Sequence, residues 1–207
     1  MNNPATALSG FELFCRLATS PLPERELLEG ATRRLRLAHG EPLFLAGEQR
    51  PQVFAVLSGV IKMVYETSGG EGWIKGFAEA GTCFASLTAL EEGEQARTSY
   101  SAYAERACLV EQIDYRQIQR LAGRHLGWQR ALSQAFKIYG QRKERREMEL
   151  LTLSPEQRYL GFLRERPGLA AQLRQRDIAS YVRVTPVALS RIRARLAGRP
   201  GGRPDVV

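Results

Sequence analysis

Apolar and polar residues alternate through residues 39–113, and glycines interrupt the alternation. The apolar runs are short, and they lie at 43–45, 53–57, 60–65, 73–77, 98–104 and 108–113. The glycines at the breaks are Gly40, Gly47, Gly59 and Gly81. A period of two predicts strands, and the Ser-Gly-Gly of residues 68–70 predicts a hairpin turn. Many short strands with glycine corners indicate a small β-roll or barrel.

A helical spacing of apolar residues precedes these strands. It predicts helical structure through residues 9–37, with Phe11, Phe14 and Leu17 on one side. Pro23 lies at a plausible start of the second half, whose apolar face is Leu27, Leu28 and Ala31.

After Asp114 the helical spacing returns, beginning with Ile118 and Leu121. A long helix is predicted over residues 126–150. Its apolar residues Trp128, Leu132, Ala135 and Tyr139 follow at intervals of four, three and four, the spacing of a coiled-coil seam. Phe136 and Ile138 widen this stripe. The pattern predicts a homodimer through this helix; the alternative is that the helix packs on the β-roll of its own chain alone.

Two more helical segments complete the chain before its last residues. One begins at Ser154 and Pro155, carries Tyr159, Leu160, Phe162 and Leu163, and is expected to end at Pro167-Gly168. The other is a pair of helices over residues 175–182 and 186–196. Thr185 is a good N-cap for the second helix of the pair, because its hydroxyl can accept a backbone N–H. Pro186 fits the first helical position.

The helix pair has the spacing of a helix-turn-helix. Ile178, Ala179 and Val182 share one face of the first helix. In the second helix, Val187 (or Ala188), Ile192 and Leu196 are expected to point inward, and Ser190, Arg191, Arg193 and Arg195 outward. A short helix with small and arginine residues on its outer face suits the major groove of DNA. The alternative is an ordinary helical hairpin with a solvated basic face.

Positive charge is concentrated at this end of the chain. The net charge is +8, from 30 basic and 22 acidic residues. Residues 151–207 have eleven basic residues, all arginine, against four acidic ones, whereas residues 1–150 have nineteen against eighteen. This excess is typical of a surface that binds phosphate groups. A membrane-surface patch is the competing interpretation, but no strongly amphipathic anchor accompanies it.

Other residues argue against several classes of protein. No apolar run approaches a membrane span, and the N-terminus lacks the order of a signal peptide, so a cytoplasmic protein is expected. Cys15, Cys83 and Cys108 are too few and too scattered for a disulfide framework or a metal site, and buried free thiols are expected. With His39 and His125 as the only histidines, neither a cupin-type metal site nor a catalytic triad is supported, and we predict no catalytic residues and no metal.

The order of these parts resembles the Crp/Fnr family of transcription regulators. The resemblance rests on Gly40-Glu41, Gly47-Glu48, VFAVLSGVIK with Gly59, and Gly81 in the β-region, and on DIASYVRVTPVALSRIRARL in the helix pair. It implies an α+β fold: an effector-sensing β-roll of jelly-roll, cyclic-nucleotide-binding type over residues 1–125, a dimerisation helix over 126–150, and a DNA-binding domain over 151–207. The last domain is a winged helix-turn-helix whose wing is short or missing, because only AGRPGGRPDVV follows Leu196; this segment is alternatively a flexible basic tail.

The resemblance also implies roles for individual residues. Arg191 falls on the family's base- and phosphate-contacting arginine, and Ser190 on a neighbouring contact position; we add Thr185, Arg193 and Arg195 as DNA-binding candidates. Many family members have a glutamate, which accepts from cytosine, where this chain has Val187. The family's usual operator sequence is therefore not expected here.

The effector region departs furthest from the family. Cyclic-nucleotide-binding members have a Gly-Glu pair for the ribose and an Arg-Ser or Arg-Thr pair for the phosphate. This chain keeps Arg97 and Thr98 but has Ala85 and Ser86 in place of Gly-Glu. We therefore predict that Ser86, Arg97 and Thr98 line the effector site and that the effector is not cyclic AMP. Cys15 alone cannot replace the cysteine cluster of the iron–sulfur members, and neither histidine is nominated as a haem ligand, so no cofactor is predicted.

The predicted function is a homodimeric regulator that binds an inverted repeat in double-stranded DNA. A small-molecule effector and RNA polymerase are further candidate partners, and no membrane is expected. The alternatives are a ligand-sensing β-roll protein whose basic C-terminus binds a protein partner, and a cupin-type β-barrel enzyme.

Overall fold

The alternating part of the sequence forms strands, as its period predicts. The computed structural model describes residues 8–67, 69, 72–91, 93 and 95–198. The strands within these residues are β1 Thr32–Leu37, β2 Pro42–Phe44, β3 Gln52–Ser58, β4 Val60–Glu66, β5 Gly72–Glu79, β6 Thr82–Phe84, β7 Ser101–Ala104 and β8 Cys108–Asp114. They form two four-stranded sheets, in the orders β1-β8-β3-β6 and β2-β7-β4-β5. The prediction of a β-roll in an α+β chain is confirmed.

Strand β3 is buried on both faces of its sheet, which explains its unbroken apolar run. Phe54 and Val56 face the second sheet, in a core shared with Phe44 and Ile61. Val53 and Ala55, which alternate with them, face the helices. The period of two therefore separates two cores on either side of one sheet.

The helices on the other face of this sheet are α1 Gly10–Ala18, α2 Arg25–Gly30, α3 Tyr115–Arg124 and the start of α4 Leu126–Thr152. The expectation of helix through residues 9–37 is wrong at its end, because residues 32–37 form β1. This strand pairs antiparallel with β8, from Thr32 opposite Ile113 to Leu37 opposite Cys108. The last four residues of β1 alternate arginine with leucine. This alternation indicates a strand, and the prediction of a helix did not take it into account.

Trp128 anchors the long helix to the helical core. The side chain is fully buried, its ring centroid lies 5.5 Å from that of Phe14, and Nε1 donates to the carbonyl of Pro23 at 3.0 Å. The prediction that Trp128 belongs to a dimer seam is therefore wrong, since its surface is covered within its own subunit.

The C-terminal residues fold into α5 Pro155–Glu165, α6 Pro167–Gln172, α7 Gln175–Val182 and α8 Pro186–Ala197. Ser154 caps α5 as predicted, in a reciprocal box with Gln157. Pro167 was expected to end this helix, but α5 already ends at Glu165 and Pro167 begins α6. A proline can follow the end of one helix or occupy the first position of the next, so the sequence alone allows both assignments of Pro167.

The described residues divide into two compact units. The first contains the residues up to Gly140 except Gly72–Ile74, and the second contains Gly72–Ile74 and the residues from Gln141 onward. The first unit holds the β-roll and the helical core, and the second holds α5 to α8. The predicted hairpin turn at 68–70 and the predicted wing or tail at 197–207 fall largely outside the described residues.

Two glycine corners of the β-roll differ in what surrounds them. Gly40 and Gly59 both have a left-handed backbone, with φ of 84° and 82°. A Cβ on Gly59 would lie 2.2 Å from the carbonyl oxygen of Ala107, whereas a Cβ on Gly40 would meet no atom within 4 Å. Gly59 is therefore required by both conformation and space, and Gly40 by conformation alone.

The two alanine substitutions should consequently differ in stability. Gly40→Ala should lower the free energy of unfolding by about 1–2 kcal/mol, the cost of a left-handed non-glycine residue. Gly59→Ala should lower it by a further ~1–3 kcal/mol, because the backbone must move away from the added methyl group. Denaturant unfolding of the two variants measures the difference, and equal losses would contradict the clash at Gly59.

Candidate nucleic-acid interface and effector region

The second unit is built around one apolar core between its four C-terminal helices. The buried apolar residues of these helices are Tyr159, Phe162, Leu169, Ala170, Leu173, Ile178, Ala179, Val182, Leu189 and Ile192. The rings of Phe162 and Tyr181 pack with their centroids 5.1 Å apart. Since α7 and α8 both contribute to this core, their outward faces are determined by it.

A tight turn joins α7 to α8. Arg183 has a left-handed backbone, with φ of 63°, and its N–H bonds back to the end of α7. The N–H of Val184 donates to the carbonyl of Ala179 at 3.0 Å, which completes a Schellman-like ending. Thr185 then caps α8 by accepting from the N–H of Ala188 at 3.2 Å, and Pro186 is the first helical residue. The predicted helix boundary is confirmed.

The structure corrects which residues of α8 point inward. Leu189 and Ile192 are buried, with 1% and 5% of their surface exposed, and Leu196 is half-buried. Of the two residues predicted as alternatives for the first inward position, Val187 is 62% exposed and Ala188 is half-buried. At 100° per residue Val187 lies about 200° from Leu189, so the two cannot face the same core. Leu189 was not among the residues predicted to point inward.

The face of α8 opposite this core carries three small or apolar side chains and one arginine. It consists of Val187, Ser190, Arg191 and Ala194, spaced three and four apart, and all four are exposed. Ala194 was not among the residues predicted to point outward. Arg193 and Arg195 are exposed too, but they lie to either side of this outward face.

The exposed arginines of α8 differ in their partners. Arg195 pairs with Glu156 of α5, with 3.1 Å between Nη2 and Oε2. Neither Arg191 nor Arg193 has an ion-pair partner among the described residues. A groove of about 630 Å³ lies between α8 and the start of α5, and its lining includes Arg191 and the Arg195–Glu156 pair. Within this groove the charge of Arg195 is offset, and that of Arg191 is not.

Other arginines of the second unit serve the fold. Arg158 donates through Nε to the carbonyl of Val182 at 2.9 Å, and Arg146 donates to the carbonyl of Tyr181 and stacks on its ring. Both guanidinium groups thus bind the C-terminal carbonyls of α7, where the helix dipole favours positive charge. Burial, followed by repulsion from Arg146 and Arg183, lowers the pKa of Arg158. The arginine excess read from the sequence therefore overstates the charge available to a ligand.

Two of the predicted effector residues use their hydroxyl groups in hydrogen bonds within the β-roll. The hydroxyl of Thr98 donates to the carbonyl of Leu45 at 2.6 Å and accepts from the N–H of Glu48 at 3.1 Å. The hydroxyl of Ser86 accepts from the N–H of Ser99 at 3.0 Å.

The three residues also differ in exposure. Ser86 and Thr98 are 1% and 4% exposed, whereas Arg97 is exposed and donates to the carbonyl of Gly47 at 2.9 Å. Among the three, Arg97 alone therefore presents a charged group to solvent.

A lysine–tyrosine cluster that sequence reasoning missed lies beside this region. Lys75 Nζ lies 4.6 Å from the ring centroid of Tyr100 and 5.7 Å from that of Tyr139. The hydroxyl of Tyr100 donates to the carbonyl of Ala85 at 2.8 Å. Burial raises the pKa of both tyrosines, so both are neutral at physiological pH. Tyr139 of the long helix thus contacts Lys75, whose ammonium group also lies over Tyr100.

The rest of the predicted dimer seam is partly accessible. Leu132, Ala135 and Tyr139 are half-buried, and Leu132 packs against the helical core. Phe136, which the sequence placed beside the seam, is 41% exposed. The apolar surface of this part of α4 is therefore centred nearer Phe136 than Trp128.

The described residues provide few other candidate sites. They contain no group of three or more histidine, cysteine or acidic side chains placed to hold a metal ion. No helix among them is long and apolar enough to cross a membrane. Of the three free cysteines, Cys108 is buried and the other two are half-buried, and burial raises the pKa of the Cys108 thiol.

Comparisons with known proteins agree with this geometry. Residues 34–125 match the cyclic nucleotide-binding domain family. FixK2 from Bradyrhizobium japonicum aligns with a TM-score of 0.69 and 21% identity, over 80% of this chain and 84% of that one. The c-di-GMP-responsive global regulator CLP of Xanthomonas campestris aligns with a TM-score of 0.67 and 16% identity, over 83% and 89%.

A protein from Eubacterium rectale assigned to the Crp/Fnr family aligns with a TM-score of 0.67 and 10% identity, over 86% of each chain. This chain has the fold of a Crp/Fnr regulator. At these identities the likeness is one of fold, and it confirms the resemblance read from the sequence. No curated protein matches the chain in sequence. The Crp/Fnr fold accounts for the β-roll, the long helix α4 and the helices that follow it.

Proposed function

We propose that this protein is a transcription regulator that binds DNA through the outward face of α8, and that it has no catalytic role. The observation that carries the proposal is the division of α8 into a buried side, Leu189 and Ile192, and an exposed side with Ser190 and Arg191. Small residues let a helix approach the floor of the major groove, and an arginine there can bind guanine through two hydrogen bonds.

The DNA-binding candidates have distinct roles in this proposal. Arg191 reads a base, since it is exposed and unpaired among the described residues on the outward face. Ser190 allows the close approach. Arg193 and Arg195, which lie on either side of the outward face, contact phosphates. The ion pair with Glu156 weakens the contact made by Arg195. Thr185 acts by capping α8 and so orienting its first turn.

The active form in this proposal is a homodimer through α4. The partly exposed apolar residues Leu132, Ala135, Phe136 and Tyr139 support it, because they lie along one side of the helix and leave apolar surface uncovered. Two copies of α8 would then bind an inverted repeat with half-sites about one helical turn apart. RNA polymerase is the further partner that a regulator of this fold would engage.

The effector in this proposal is a small anion other than cyclic AMP, which would meet Arg97. Ser86 stands where nucleotide-binding members have a carboxylate, and its hydroxyl is buried and engaged by Ser99. A ribose hydroxyl would therefore lack its acceptor here.

Arg191→Ala should weaken specific binding by about 1–3 kcal/mol and relax the preference at one base pair per half-site. Arg164→Ala is the matched control, because it removes the same charge from an exposed position of α5. Titrations on specific and scrambled duplexes at two salt concentrations measure both. Equal losses on the two duplexes for Arg191→Ala would contradict base reading, and no salt-dependent binding by the unmodified protein would instead favour a protein partner for the basic region.

Phe136→Asp should convert the dimer to a monomer, because it places a charge where an apolar side chain is 41% exposed in the single subunit. Gln134→Asp, at an exposed polar position of the same helix, should leave the dimer intact. Light scattering at micromolar concentration measures the mass. An unmodified protein that is monomeric under these conditions would rule out the dimer.

Cyclic AMP should bind weakly or not at all in calorimetry, for want of the carboxylate. Ser86→Glu restores a carboxylate at this position, and tighter cyclic AMP binding by this variant would support the missing acceptor. Circular dichroism must show that the variant is folded, because Ser86 is 1% exposed and its hydroxyl accepts from the N–H of Ser99. Tight binding by the unmodified protein that is lost in Arg97→Ala would show that cyclic AMP is the effector.

A further inference from the structure

An apolar side chain occupies the first turn of the outward face of α8. Val187 is 62% exposed, although the core of the second unit is filled by Leu189 and Ile192 from the same helix. Its isopropyl group therefore does little for folding. Val187 shares its face with Ser190 and Arg191, three and four residues further on.

We propose that Val187 reads the 5-methyl group of a thymine, so that each half-site of the operator contains a T·A pair near the guanine bound by Arg191. This inference rests on the proposed DNA binding by α8. In the major groove thymine presents a methyl group, which an apolar side chain can contact. Cytosine presents an N4 amino donor at the same edge, and valine has no acceptor for it. Covering that donor with valine would leave it unpaired, which disfavours cytosine.

The spacing on the helix limits where the thymine lies. Four residues of an α-helix span about 6 Å, at a rise of about 1.5 Å per residue. Base pairs are about 3.4 Å apart along each strand. The methyl group contacted by Val187 should thus lie within about two base pairs of the guanine contacted by Arg191.

Ala194 is the other apolar residue of this face, and it does not replace Val187 in the argument. It lies seven residues further along α8, about 10.5 Å away at the helical rise, beyond Arg191. Val187 and Ala194 therefore lie on opposite sides of Arg191 along the helix, and a methyl contact from each would fall at a different base pair.

The experiment removes single methyl groups from the DNA. A specific duplex is selected from a random pool with the unmodified protein, and the base pair read by Arg191 is located as the one whose preference is lost in Arg191→Ala. Each thymine of the half-site is then replaced by deoxyuridine, which differs only in lacking the methyl group. One replacement within about two base pairs of that position should weaken binding about threefold to fivefold, the effect of exposing one buried methyl group.

The variants assign this methyl effect to Val187. In Val187→Ala the same deoxyuridine replacement should have little further effect, and in Val187→Ile it should keep its full effect. Leu160→Ala, which trims an exposed apolar side chain of α5, is the control that should retain full sensitivity. The salt dependence should be the same in all of them, because no charge is changed. Val187→Glu should shift the preference at this base pair from thymine toward cytosine.

Each result has one meaning for the proposal. Specific binding that no deoxyuridine replacement weakens, or that is weakened equally in the unmodified protein and in Val187→Ala, overturns the thymine contact while leaving DNA binding by α8 in place. Absence of specific duplex binding by the unmodified protein overturns the proposed function and this inference together. Val187→Ala should remain folded, because Val187 is 62% exposed and the core is filled by Leu189 and Ile192. Val187→Ile keeps an apolar side chain at this position, so loss of the methyl effect in that variant would also count against the thymine contact.

Discussion

The burial of Leu189 and Ile192 is the contact on which the candidate interface depends. Both residues enter the core that α7 supplies with Ile178, Ala179 and Val182. Because a helix is rigid, burying two of its residues determines the direction of all the others. Ser190 and Arg191 are outward for this reason, and so is Val187. The short turn at Arg183 keeps α7 and α8 close enough for this core to form.

In the first unit, strand β3 fixes the position of the elements on both sides of its sheet, because it is buried on both faces. One side of β3 packs against the second sheet and the other side against the helices. Trp128 joins α4 to those helices through its ring contacts and its hydrogen bond to Pro23. The next turns of α4 bring Tyr139 to Lys75 and leave Phe136 partly exposed. In the proposed homodimer, the same helix would contact Lys75 of its own subunit and offer Phe136 to the second subunit.

The arginines of the second unit differ in what they bind, so their number alone does not give the charge available to a ligand. Arg146 and Arg158 neutralise the C-terminal end of α7, and Arg195 is paired with Glu156. The guanidinium groups left for a polyanion are therefore fewer than the composition suggests. With less sequence-independent attraction, contacts such as those proposed for Arg191 and Val187 would account for a larger share of the binding energy.

The sequence by itself determined the glycine corners at Gly40 and Gly59 and the helix start at Thr185-Pro186. A positive φ or a helix cap depends on only a few neighbouring residues, so these features can be recognised without the fold. Only the tertiary structure decided that Trp128 is covered within its subunit, that Val187 is outward, and that residues 32–37 pair with β8. Each of these depends on a partner distant in the chain: Phe14 and Pro23 for Trp128, the α7 core for α8, and β8 for β1. Periodicity shows that a helix or strand has two faces, but the partner elements decide which face is buried.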